Sequence, residues 1–101
     1  MSMTKDAGHQ ALDINIGRIL QMYLTGDLNA EVTRDNLSRF FNGASEWRHE
    51  IDFWLLRRLH DMRDGHDANL VRREIVQMAA AAENHDPHLL DLLHNGRAHA
   101  S

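Results

Sequence analysis

Residues Glu46 to Met62 read EWRHEIDFWLLRRLHDM. On a helical wheel Trp47, Ile51, Trp54, Leu55, Leu59 and Met62 fall on one stripe, at spacings of three and four. Phe53 and Leu56 fall on the opposite side, next to His49 and His60. Both tryptophans of the chain and one of its three phenylalanines sit in this segment. The spacing predicts a helix whose main apolar face is a core for other helices to cover. The Phe53/Leu56 side is then either more core or a surface for another molecule. Arg58 breaks the main stripe between Trp54 and Met62. Its stem can snorkel at the edge of the core, or its head can meet a carboxylate or an aromatic ring.

Working outward, the flanking segments repeat the same period. Downstream, Asp64-Gly65-His66-Asp67 reads as a turn, and Asp67 can cap a helix over Ala68 to Glu83. Val71, Ile75, Met78, Ala79 and Ala82 share its apolar side, and the run Ala79 to Ala82 lacks bulk, so a neighbour can approach closely there. The short turn makes these two helices an antiparallel hairpin. Asp86 and Pro87 then open a short last helix that Gly96 closes, with Leu89, Leu90, Leu92 and Leu93 too many for one face. Upstream, Leu12, Ile16, Ile19, Leu20, Tyr23 and Leu24 line one face of a first helix over Ala11 to Leu24. A second helix is expected after Thr33 as its cap, with Leu37, Phe40, Phe41 and Ala44 buried and Asn42-Gly43 as its stop. Ser45 is the expected cap of the Glu46–Met62 helix. Leu28 to Glu31 is either one more turn of helix or a loop.

With one proline and no persistent two-residue alternation, the fold class is all-α: a small bundle of four main helices plus a short C-terminal helix, helices three and four forming the hairpin. The expected organisation is a flexible polar tail over 1–10, one helical domain over 11–96 and a frayed end over 97–101. A chain of 101 residues supports one small domain. Hydrophobic residues at 43% and charged residues at 26% give a globular balance. The absence of cysteine excludes disulfides, thiol nucleophiles and Cys-ligated metal. No apolar run approaches the ~18 residues of a membrane span, and the N-terminus has no apolar leader segment, so a cytoplasmic location is expected. The net charge of −4 disfavours nucleic acid as the main partner.

Chemistry-bearing patterns are sparse. Eight histidines include His85 and His88 flanking Asp86, with His94 beyond and His60 and His66 across the hairpin turn. None forms HExxH or an i,i+4 pair on one helix, so no metal ligand and no cofactor are assigned. Asp52 and Asp61 have arginine neighbours at i,i+4, Arg48 and Arg57, and no carboxylate stands isolated in an apolar run as a tuned acid or base would. No catalytic residue is named.

The stretch Val32 to Gly43, VTRDNLSRFFNG, resembles the recognition helix and following Asn-Gly turn of repressor-type helix-turn-helix proteins of the lambda family. The resemblance implies Thr33, Arg34 and Asn36 in a major groove and Arg39 on a phosphate. It covers about a tenth of the chain. The stretch Thr25 to Val32 is longer than that family's tight turn.

The two-sided Glu46–Met62 segment and the leucine-rich last helix point instead to association with protein. The expected function is non-catalytic binding, as a regulator, adaptor or inhibitor and as a homodimer, through Phe53, Trp54, Leu56, Arg57 and Arg58. DNA-binding regulation through the 33–43 helix is the alternative.

Overall fold

The computed structural model describes the backbone of residues 2–100 and the side chains of residues 10–94. The chain is 84% helical, and the described residues contain no strand. Helix α1 spans Ser2–Leu24, α2 Ala30–Ser38, α3 Arg48–Arg63, α4 Ala68–Glu83 and α5 Leu89–Ala100. Between α2 and α3 lies a segment of 3-10 turns, Arg39–Trp47, broken by non-helical dihedrals at Phe41 and Ala44. This is the all-α bundle of four main helices and a short fifth.

The apolar stripes meet in one buried cluster. From α3 it takes Ile51, Trp54, Leu55, Leu59 and Met62, the residues whose spacing defined the stripe. Helix α4 contributes Val71, Ile75, Met78, Ala79 and Ala82, with Val76 in addition. Ile16, Leu20 and Tyr23 come from α1, whereas Leu24, expected on the same face, is 41% exposed where the helix unwinds. The leucines of α5 divide: Leu89 and Leu93 are buried by the body of the protein, and Leu92 is left outside.

Polar contacts fix how the helices meet. The Tyr23 hydroxyl donates to the Leu59 carbonyl at 3.2 Å. Arg63 Nη2 returns a bond to the Tyr23 carbonyl at 3.1 Å, with the guanidinium 4.5 Å from the Tyr23 ring centroid. This places a cation at the C-terminal end of α1, on a carbonyl that also accepts from the Gly26 N–H at 3.2 Å. In the hairpin turn, Gly65 takes φ +101°, a left-handed conformation that side chains with a Cβ resist. Asp67 then caps α4 as expected, accepting from the Asn69 N–H at 2.9 Å.

Several boundaries differ from the sequence reading. Helix α2 is capped by Asn29, whose side chain accepts from the Val32 N–H at 2.9 Å, and so starts three residues before the expected cap. Thr33 lies inside the helix, fully buried, with its hydroxyl donating to the Asn29 carbonyl at 2.7 Å. Ser45 does not cap α3. The 3-10 turns run straight into that helix, and the Arg48 N–H bonds the Ser45 carbonyl, so the backbone supplies what a cap would. Helix α1 already begins at Ser2 and α5 continues to Ala100, past Gly96. With no proline in either end segment, single glycines at 8 and 96 weaken a helix by ~1 kcal/mol each without stopping it.

Gly43 does not close α2, which ends at Ser38. It sits where the 3-10 segment presses on the alanine run of α4. A Cβ there would overlap the Ala82 carbonyl oxygen and lie 3.2 Å from the carbonyl carbon. Both groups are backbone, so neither side can yield by turning a side chain. Gly43→Ala is therefore expected to destabilise by about 1–3 kcal/mol. In urea unfolding this appears as a lower midpoint at unchanged slope.

Candidate docking surface

One residue along a helix rotates the side chain by about 100°, so Phe53 and Trp54 point in different directions. The core takes Trp54, which is 3% exposed. Phe53 is 51% exposed on the solvent side of α3. Leu56 is half-buried and Arg57 exposed on the same side. These three, with His60 and Asp61, line an open groove of about 450 Å³. The structure thus brings together three of the five residues expected to bind a partner. Trp54 and Arg58 are corrections: they face inward, toward α4 and α5, and line a separate cavity of about 110 Å³ with Glu74, Gln77, Met78 and Leu92.

Arg58 resolves as an ion-pair anchor. Its Nη1 donates to Asp61 Oδ2 at 2.8 Å, and its Nη2 pairs with Glu74 Oε1 of α4. Its Nε is buried with no hydrogen-bond acceptor. The expected Arg57–Asp61 pair does not form, because Asp61 turns to Arg58. Among the described residues Arg57 enters no ion pair. The Arg48–Asp52 pair is present at 3.6 Å. The groove therefore offers an aromatic ring, an aliphatic side chain and an uncommitted guanidinium, the side-chain types that anchor protein interfaces.

The residues assigned by the helix-turn-helix resemblance do not share an outward face. Thr33 belongs to the core, which corrects its placement in a groove of DNA. Arg34 is bonded to Asp35 at 3.0 Å, and this hydrogen bond holds its guanidinium above its ordinary pKa. Asn36 is half-buried, and only Arg39 is exposed.

The histidines scatter. His85 Nε2 lies 2.7 Å from Glu46 Oε2, and its ring centroid is 5.8 Å from that of Trp47. This contact closes the α4–α5 loop onto the 3-10 segment. It joins residues thirty-nine positions apart, and no local pattern announces it. His88 is 3.9 Å from Asp91. Among the described residues no three histidine or carboxylate side chains converge to hold a metal ion.

Comparison with protein-family models, with characterised proteins and with solved structures finds no match. Among the described residues no helix is long and apolar enough to cross a membrane.

The division of α3 into a covered and an open side has a measurable consequence. Trp54→Ala is expected to cost about 3–5 kcal/mol, as for other buried aromatic residues. Phe53→Ala, next to it in sequence, is expected to cost less than half as much. Chemical denaturation of the two variants at matched conditions compares them directly.

Proposed function

We propose that the protein is a small, non-catalytic binding module of the cytoplasm, a regulator, adaptor or inhibitor that docks on protein through the outer side of α3. The observation that carries this reading is Phe53, a large apolar ring left 51% exposed in the middle of that side. Fully burying such a side chain stabilises by about 1.5–3 kcal/mol relative to leaving it in water, so a partner that covers it gains directly. Leu56 beside it extends the apolar strip, and Arg57 supplies a charged rim. The polar groups of the groove suit recognition better than chemistry. Asp61 is already bonded to Arg58, and among the described residues no hydrogen bond orients the His60 ring as a general base requires.

The test is a benzophenone photo-crosslinker placed at position 53, with the same group at exposed Gln21 on α1 as the control. Illumination of native cells is expected to yield a covalent adduct with a polypeptide from position 53 and none from position 21. Equal labelling from both positions, or no polypeptide adduct from 53, would remove the docking face.

A further inference from the structure

The outer side of α3 carries its charges in a definite order. Glu50 lies three residues before Phe53, and Arg57 lies four residues after it. Seven residues is very nearly two helical turns, so Glu50 and Arg57 project along the same edge of the strip with Phe53 between them. Both are exposed, and among the described residues neither enters an ion pair. Along this edge an acid therefore precedes Phe53 and a base directly follows it, and Asp61, one turn beyond Arg57, is already paired with Arg58.

Such a strip is complementary to itself in one orientation only. Laid parallel on a copy, it sets Glu50 against Glu50 and Arg57 against Arg57. Laid antiparallel about a two-fold axis through Phe53, it sets Glu50 of each copy against Arg57 of the other, and the pairing occurs twice. The two Phe53 rings then meet on the axis with Leu56 beside them. An isologous contact of this kind needs a patch that matches its own image, and charge order along a helix edge is the usual means of choosing orientation. Antiparallel packing also aligns the two helix dipoles favourably.

We propose that the occupant of the α3 groove is a second copy of this chain, bound antiparallel across Phe53 with reciprocal Glu50–Arg57 pairs. The proposal rests on the docking reading above and gives that face its partner. A foreign partner would have to bring an acidic and a basic group at matching spacing around an apolar centre. A second copy brings them by construction.

The charge pattern makes the proposal testable by exchange. Oligomeric state is measured by light scattering after gel filtration for the wild type, Glu50→Arg, Arg57→Glu and the double variant, with circular dichroism confirming that each is folded. The wild type is expected to be a dimer. Each single variant replaces two attractive contacts with two like-charge contacts, and its dimer dissociation constant should rise by ~10-fold or more. An equimolar mixture of the two single variants should recover dimer, because every contact between them is again of opposite charge. The double variant should dimerise as the wild type does.

Loss of dimer in both single variants with no recovery on mixing overturns the antiparallel register. Equal dimerisation of all four proteins shows that copies meet through another surface and also overturns it. A wild type that stays monomeric at high micromolar concentration overturns self-pairing altogether. The crosslinker at position 53 then separates the two readings. An adduct with a different protein leaves the docking face standing without self-pairing, and no polypeptide adduct removes both.

Discussion

The closeness of Gly43 to the Ala82 carbonyl sets the geometry on which the outer face depends. Helix α4 presents small side chains at Ala79 and Ala82, both fully buried, and the 3-10 segment comes down on them with no side chain of its own at Gly43. That segment, kinked at Ala44, joins α3 through the Arg48–Ser45 backbone bond. A tight contact on α4 therefore fixes where α3 starts. The consequence reaches the opposite side of α3, because a helix whose first turn is held has little freedom left but rotation about its axis.

Rotation is limited by what α3 buries and by Arg58. Ile51, Leu55 and Leu59 are inside on any reading of the stripe, but Phe53 and Trp54 differ only in angle, and a modest roll would exchange their exposures. Arg58 points inward from the same helix and meets Glu74 on α4. Desolvating two charges offsets much of their attraction, so this bridge contributes more to orientation than to stability. An apolar residue at position 58 would complete the stripe without tying it to Glu74. At the other end of the helix, Arg63 and Leu59 hold Tyr23 of α1. With both ends and the middle attached, Trp54 stays in and Phe53 stays out.

Most of this architecture is legible in the sequence, because apolar residues at three- and four-residue spacing respond to one physical demand, removal from water. The buried residues of α3 and α4, Val76 apart, are those that their periodicity marks. Helix boundaries follow weaker rules, and here the backbone overrides them. Thr33 and Ser45 are good caps by residue type, yet Asn29 begins α2 earlier and the 3-10 turns make a cap at Ser45 unnecessary. The proposed docking side is legible in part. Phe53, Leu56 and Arg57 lie where the wheel places them. Trp54 and Arg58 were expected beside them because they are neighbours in sequence, and they belong to the inner face. The expected Arg57–Asp61 pair fails because Arg58 offers Asp61 a hydrogen bond at 2.8 Å, tied in turn to a second carboxylate on α4. No rule confined to one helix anticipates a competitor recruited by another.

The charge order on the outer side of α3 has a local cause before any functional one. An acid in the first turn and a cation near the last are what the helix dipole favours, and Glu50 and Arg63 occupy those places. Any helix built this way is electrostatically complementary to an antiparallel copy of itself. On most solvated faces this has little effect, because exposed ion pairs contribute almost nothing without desolvated surface beside them. Helix α3 differs in carrying a half-exposed phenylalanine between its acid and its base. Covering that ring removes water from the flanking charges and strengthens their interaction. The contact, in turn, is favourable only in the register that brings opposite charges together. In the proposed self-pairing the apolar residue supplies the affinity and the ordered charges select the orientation, and neither suffices without the other.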